Sequence, residues 1–81
     1  MATLSVRDVH NHERVKFELR LAGSSLADVS RRLGVSQSAV SMVSVGHKRS
    51  RRIESAIAAE LGKSPEALWP KRYPKEGADM P

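Results

Sequence analysis

The fold of this chain is decided by residues 26–43, which read LADVSRRLGVSQSAVSMV. Val29 and Leu33 are four residues apart, so they share one face of a short first helix. Ser30 is small at the position where that helix must lie close against a partner. Gly34 follows where the chain must turn sharply, and glycine adopts positive φ without a Cβ clash. The pattern predicts a short helix that ends in a tight glycine turn.

A second helix is predicted after this turn, at residues 37–44, with the first at 26–33. Ser36 can cap it by accepting a backbone N–H bond, and Val40 and Val43 repeat at i, i+3, so one side is buried. The other side holds four residues: Gln37, Ser38, Ser41 and Met42. Two helices joined by such a turn are typical of a DNA-binding helix-turn-helix. The plainer alternative is an αα-corner in a small helical domain.

The composition limits the classes of function. Eighty-one residues form one domain with no room for a separate catalytic domain, so we expect neither an enzyme nor a cofactor. Without cysteine there is no disulfide framework and no thiolate metal site. No apolar run approaches the roughly 18 residues of a membrane span, so we expect no membrane partner, and the lack of cysteine fits a location in the reducing cytoplasm. The net charge of +5 favours a polyanionic partner. With one Trp, one Tyr and one Phe, a stacking platform for single strands is disfavoured, and double-stranded DNA is favoured.

The region before the motif predicts a helix at residues 11–22. Val15 and Leu19 form its buried stripe, and Phe17 and Leu21 form a second apolar pair at the same spacing. One of the two pairs must be partly exposed or contact another element. Glycine then ends this helix, and one of the two following serines caps the next.

The region after the motif predicts two further helices. Ile53, Ile57 and Leu61 fall on one stripe of a helix at residues 50–61, with Gly62 as its C-cap.

The last helix begins at Ser64-Pro65-Glu66, which combines a cap, a proline suited to the first helical position and an acid in the first turn. Pro70 ends it, and Trp69 is expected to close the core. The predicted organisation is a flexible arm at residues 1–10, a DNA-binding domain at 11–73 and a disordered tail at 74–81. The predicted fold class is all-α, a compact bundle of about five short helices.

The end of the predicted domain carries a more specific resemblance. Residues 61–73, LGKSPEALWPKRY, contain Leu68-Trp69-Pro70 and Arg72-Tyr73, and Asp8 and His10 stand before the first predicted helix. With these residues the chain resembles, over residues 7–73, the Ner/Nlp family of small phage-type transcriptional regulators. The resemblance implies a λ-repressor-like fold that binds operator DNA and represses or modulates transcription, often of mobile-element genes.

Two departures from the family pattern accompany this resemblance. Val9 stands where the family usually has an aromatic residue, and residues 46–52, GHKRSRR, replace a link that often contains proline. The second departure leaves the path of this loop open.

Base readout is predicted from the start of the second motif helix, because a recognition helix places its N-terminal residues against base edges in the major groove. Gln37 and Ser38 enter first, and Ser41 and Met42 follow one turn later. Glutamine pairs bidentately with adenine, and methionine offers an apolar contact to the thymine methyl. No arginine stands on this face, so we expect modest, A·T-leaning readout, with DNA shape contributing the rest. The alternative is that Gln37 and Ser38 are ordinary solvated residues.

Phosphate contacts are predicted from residues 47–52, HKRSRR, which we name the basic segment. Cations at a helix N-terminus oppose its dipole, so four fixed positive charges in this place indicate that phosphates are expected there. The alternative is a flexible, solvated basic loop. Such contacts set register and salt dependence but do not specify bases. The predicted phosphate-binding residues are Ser36, His47, Lys48, Arg49, Arg51 and Arg52, and Arg31 and Arg32 on the first motif helix are further candidates.

Other functions fit the sequence less well. His10, His12 and Glu13 have no second ligand cluster, so no metal site is expected, and Gly62-Lys63-Ser64 lacks the first glycine of a phosphate-binding loop. Two alternatives remain: a protein-interaction module such as an antitoxin or co-regulator, and the DNA-binding arm of a recombinase. Little apolar surface is left for a dimer, so we expect a monomer or weak homodimer that pairs on DNA.

Overall fold

The computed structural model describes residues 6–73, and these form five α-helices and no strand. The helices are α1 Val6–Leu21, α2 Leu26–Leu33, α3 Gln37–Val45, α4 Arg51–Glu60 and α5 Pro65–Leu68. The predicted all-α class is confirmed. The first five residues of the predicted arm and the predicted tail at 74–81 lie outside the described residues.

Helix α1 begins five residues before the predicted start at Asn11. The carboxylate of Asp8 lies in its first turn, where a negative charge is favourable. The Asn11 amide donates to the Leu68 carbonyl at 3.1 Å, which connects α1 to α5. The valines of this stretch disfavour a helix only slightly. The prediction that residues 1–10 form a flexible arm is therefore wrong for residues 6–10.

Four of the helices begin with the same device, a serine at the N-cap. In each, the serine Oγ accepts a bond from the backbone N–H three residues later, at 3.0 to 3.3 Å. Each such cap stabilises its helix by about 1 kcal/mol. The capping serines are Ser25, Ser36, Ser50 and Ser64. They fix where α2, α3, α4 and α5 begin.

Glycine sets the turn between α2 and α3. Gly34 has φ +72°, in the left-handed region, and its N–H donates to the Ser30 carbonyl at 2.9 Å. This is the conformation that the predicted turn requires. At the end of α4 the prediction is one residue out, because Leu61 is the cap and Gly62, with φ +66°, follows it.

The core draws on all five helices. Helix α2 packs against α3 and α4, α1 packs against α3, and α4 packs against α5. Val15 and Leu19 are buried, whereas Phe17 is 52% exposed and Leu21 72% exposed, which settles which pair faces the core. Trp69 is 4% exposed and packs with the core, as predicted. The buried apolar residues are Val15, Leu19, Leu26, Val29, Val40, Val43, Ile53, Ile57, Ala58, Leu68 and Trp69.

Candidate nucleic-acid interface

The predicted base-reading residues lie on the outer side of α3. Val40 and Val43 bury the inner side against the rest of the domain. Gln37, Ser38 and Met42 are exposed and Ser41 is half-buried. The arrangement leaves polar donors and acceptors, and one thioether, on the face that a recognition helix presents to base edges. We name these four residues, Gln37, Ser38, Ser41 and Met42, the reading face.

The start of α3 is fixed by its cap. The Ser36 Oγ accepts from the Ala39 N–H at 3.1 Å, and Ser36 itself is exposed. An exposed capping hydroxyl keeps its own proton for an acceptor outside the protein. The predicted role of Ser36 as a phosphate donor is therefore compatible with its capping role.

A groove beside the reading face contains basic side chains that the sequence reasoning missed. Gln37 and Ser41 line it from α3, and His12, Lys16 and Arg20 line it from α1. The three α1 residues are spaced i, i+4, i+8, so they form one stripe along the helix. This spacing is the sequence signal that could have found them. Basic side chains at this edge of α3 suit the phosphates that flank a major groove.

His12 also connects α1 to α3. Its Nδ1 lies 2.8 Å from the Oγ of Ser44, which is 1% exposed. Burial lowers the pKa of His12 below its ordinary value, and the charge of Lys16 adds to this. The neutral imidazole is therefore the form that the fold favours.

The basic segment is ordered against the end of α3. The backbone N–H groups of Gly46, His47 and Lys48 all donate to the Met42 carbonyl, at 3.1, 2.9 and 3.2 Å. The structure thus favours a defined loop over the flexible one that the sequence left open. The exposed side chains of this segment are His47, Lys48, Arg49, Arg51 and Arg52.

Several predicted phosphate-binding arginines already have partners within the protein. Arg52 donates to the Leu33 carbonyl at 3.0 Å. Arg32 pairs with Glu60 at 2.8 Å, and Arg31 pairs with Asp28. The side chains of Arg31 and Arg32 remain 70% and 68% exposed, so these are surface ion pairs of small stabilising effect. Such weak pairs leave both guanidinium groups available to a phosphate.

A buried carboxylate, Glu54 in the first turn of α4, is the residue that the sequence reasoning missed most clearly. Glu54 is 0% exposed. Its Oε2 accepts from Arg49 Nε at 3.0 Å and from Arg72 Nη1 at 3.2 Å, and its Oε1 accepts from the Tyr73 hydroxyl. We name these four residues the Glu54 cluster. A sequence signal existed, because Glu54 precedes Ile57, Ala58 and Leu61 at i+3, i+4 and i+7 and so shares their inward stripe.

The electrostatics of this cluster favour the charged carboxylate. Burial on its own would raise the pKa of Glu54, but the hydrogen bonds from Tyr73 and Arg49 and the charges of Arg49 and Arg72 outweigh it. The pKa of Glu54 therefore lies below its ordinary value. Burial raises the pKa of Tyr73, helped by its bond to the carboxylate. The cluster thus keeps an ionised acid beside a neutral phenol at neutral pH.

The chain after α5 holds the end of α3. Arg72 Nη1 donates to the Val43 carbonyl at 2.7 Å and Nη2 donates to the Ser44 carbonyl at 2.9 Å. These carbonyls are among the last of α3, which have no partner within the helix. The guanidinium also lies over the Trp69 ring, 4.8 Å from its centroid. One side chain therefore joins the closing tryptophan, the end of α3 and the Glu54 cluster.

Among residues 6–73, no group of three or more His, Cys, Asp or Glu side chains is placed to hold a metal ion. None of the helices described here has the length and apolar character needed to cross a membrane.

The comparisons with known proteins gave one match. The family model for winged helix-turn-helix DNA-binding domains matches residues 8–81, which is nearly the whole chain. No curated protein and no solved structure matches. Residues 6–73 supply the helix-turn-helix of that description as α2, the Gly34 turn and α3, and they contain no strand that would form a wing. The matched span and the exposed polar face of α3 beside an ordered basic loop lead to one conclusion: this chain belongs to the winged helix-turn-helix DNA-binding family.

Proposed function

We propose that this DNA-binding protein is a sequence-specific transcriptional regulator of the Ner/Nlp type, a repressor encoded by a phage or another mobile element. The observation that carries the proposal is the reading face, which adjoins two sets of cations. One set is the basic segment after α3, and the other is the stripe of Lys16 and Arg20 on α1. Base contacts between two lines of phosphate contacts are what a reader of the major groove needs.

The Ner/Nlp assignment is supported by the part played by the LWPKRY ending. Trp69 closes the core, and Arg72 and Tyr73 bind Glu54. The residues that carry the resemblance are thus the residues that join the last helix to α3 and α4. A chain with the same ending is expected to need the same fold.

In the mechanism we propose, the reading face supplies sequence specificity and the basic segment supplies affinity. Gln37 and Ser38 contact base edges first, and Ser41 and Met42 contact the next step, with a preference for A·T pairs. Phosphates are neutralised by the four cations of the basic segment, Lys48, Arg49, Arg51 and Arg52. This releases counterions from the DNA, so the affinity depends on the salt concentration. No catalytic step and no cofactor enter this mechanism. Two monomers, or a weak dimer, occupy neighbouring half-sites about one helical turn apart.

The experiment that tests the proposal is selection from a random duplex library at about 150 mM salt, followed by a salt titration on the selected duplex. We expect a defined A·T-leaning motif and an affinity that falls steeply with salt. A variant with Lys48, Arg49, Arg51 and Arg52 replaced by alanine should bind all duplexes more weakly. A motif dominated by guanine contacts at the half-site centre would refute the proposed readout.

A second candidate function, a protein-interaction module, is favoured by one observation. Phe17 and Leu21 are 52% and 72% exposed on adjacent turns of α1, beside Ala22 and Leu61. An apolar patch of this kind suits a protein partner. The two functions separate in the salt titration, because an interaction module shows little salt-linked affinity for duplex DNA.

A further inference from the structure

We propose that Glu54 is a positioning residue for DNA binding: it holds Arg49 directly, and Arg51 through Tyr73, in place within the basic segment, so that these cations meet phosphates already ordered. The inference rests on the proposed function and assigns a role to a side chain that does not itself reach DNA.

The carboxylate of Glu54 lies wholly inside the domain. A buried charge is costly unless it is paired and hydrogen-bonded. Glu54 has no exposed surface, and both of its oxygens accept bonds, two from guanidinium groups and one from a phenol. Replacement of such a pair by apolar residues is often neutral or stabilising. Stability alone therefore gives little reason for this arrangement.

The three donors to Glu54 come from two separate parts of the chain. Arg49 belongs to the basic segment, while Arg72 and Tyr73 follow α5. Arg72 carries the connection on to the end of α3 through the carbonyls of Val43 and Ser44. A single carboxylate thus joins the end of the reading helix, the segment predicted to bind phosphates and the end of the described chain.

The ring of Tyr73 lies close to two cations of the basic segment. Tyr73 has the guanidinium of Arg49 at 5.3 Å from its ring centroid and that of Arg51 at 5.1 Å. Cations at this distance from an aromatic face are attracted to it. The hydroxyl of the same ring is fixed by Glu54. Two of the four fixed cations of the basic segment therefore depend on Glu54 for their position.

Arg49 is held in place while its guanidinium stays accessible. The side chain of Arg49 remains 56% exposed although its Nε is bonded, so the guanidinium is held at the surface rather than withdrawn into the core. Ordering a long side chain on association is costly, and a side chain ordered beforehand avoids that cost. Glu54 is thus expected to strengthen DNA binding although its charge repels phosphate.

Positioning by Glu54 strengthens DNA binding and its negative charge weakens it, so a variant that removes the charge separates the two effects. The full chain carrying Glu54→Gln loses one negative charge, so electrostatics without positioning predicts tighter binding to the selected duplex. We expect weaker binding, by about tenfold, because two cations lose their ordering. The matched control is Glu66→Gln, which makes the same change of charge at an exposed position on α5. It should bind as the wild type does or slightly more tightly.

A second variant keeps the test valid if Glu54→Gln unfolds. Tyr73→Phe retains the ring and the net charge and removes only the hydroxyl group, which donates a hydrogen bond to Glu54. We expect a loss of affinity of about threefold with the fold intact by circular dichroism. For both variants the slope of log affinity against log salt should become shallower by about one phosphate contact. A role confined to folding would leave that slope unchanged once the folded fraction is accounted for.

The variant Arg49→Ala completes the design. If Glu54 acts through Arg49, then Glu54→Gln should cost less affinity in the Arg49→Ala background than in the wild type. Unchanged or tighter binding by Glu54→Gln and Tyr73→Phe, with wild-type binding present, overturns the positioning role alone. Absence of salt-linked binding by the wild type overturns the proposed function and this inference with it.

Discussion

The two ends of α3 are held in different ways. At its start, the cap is made by Ser36, and the side chains of Gln37 and Ser38 are exposed. At its end, the carbonyls of Val43 and Ser44 are bonded by Arg72, and the Ser44 hydroxyl contacts His12. Tertiary contacts therefore hold the end of the helix, whereas its start displays side chains to solvent. Substitutions at the two ends should accordingly separate stability from DNA binding.

Removal of the closing ring should do the most damage to the fixed end. Trp69→Ala takes away a side chain that is 4% exposed and leaves a cavity in a small core. We expect a loss of about 3–5 kcal/mol in the free energy of unfolding, enough to unfold a domain of this size. Thermal and urea unfolding by circular dichroism measure this. A cooperative transition that is barely shifted would show that the ring is peripheral.

Removal of the guanidinium that bonds the end of α3 should come next. Arg72→Ala leaves the carbonyls of Val43 and Ser44 without their side-chain donor and weakens the pairing of Glu54. The expected loss in unfolding free energy is about 3 kcal/mol. Lys71→Ala is the matched control, since it removes an exposed cation one residue away. Equal stability of the two variants would contradict the assigned role.

A change at the displayed end should affect DNA and leave the fold unaltered. Gln37→Ala replaces an exposed side chain, so the free energy of unfolding should change by less than about 0.5 kcal/mol. Discrimination at one A·T position should fall by about 1–3 kcal/mol. Binding titrations on the selected duplex and on its single-base variants give this number. The comparison variant Lys48→Ala should lower the affinity for all of these duplexes by the same factor. If Gln37→Ala also lowered every affinity equally, Gln37 would not contact the bases.

Lowering the pH should have the smallest effect on stability, through the contact between His12 and Ser44. The pKa of His12 is lowered in the folded protein, first by burial and then by Lys16. The stability that depends on neutral His12 is therefore present above the ordinary histidine pKa of about 6.5 and is lost as the pH falls through the folded value. Melting temperatures measured from about pH 8 to about pH 5 should show this fall. His12→Gln should flatten it, and an identical profile in that variant would assign the pH dependence to other groups.

Much of the fold was predictable because its signals are local. The serine caps bond to a residue three positions away, and Gly34 bonds to a residue four positions away. Ser36 and Gly34 therefore predict the helix boundaries without any long-range information. The start of α1 was not predictable in this way. Its first turns are connected to α5 through Asn11 and Leu68, which are 57 residues apart.

The candidate site also has a part set by local sequence and a part set by long-range contacts. The reading face follows from the period of α3, whereas the Glu54 cluster depends on bonds between residues 18 and 19 positions apart. An acid in the first turn of a helix has an ordinary explanation in the helix dipole, and that explanation hides its burial. The sequence therefore predicts Arg49 as a phosphate ligand but does not show that its Nε is already bonded to Glu54.

The reading face has a consequence for protein engineering. Within residues 6–73, the side chains of Gln37, Ser38 and Ser41 take part in no hydrogen bond that supports the fold. These positions, with Met42, can therefore be randomised together in a library while the caps, the core and the Glu54 cluster stay intact. A domain of this kind is a scaffold on which new DNA specificities can be selected without selecting again for stability.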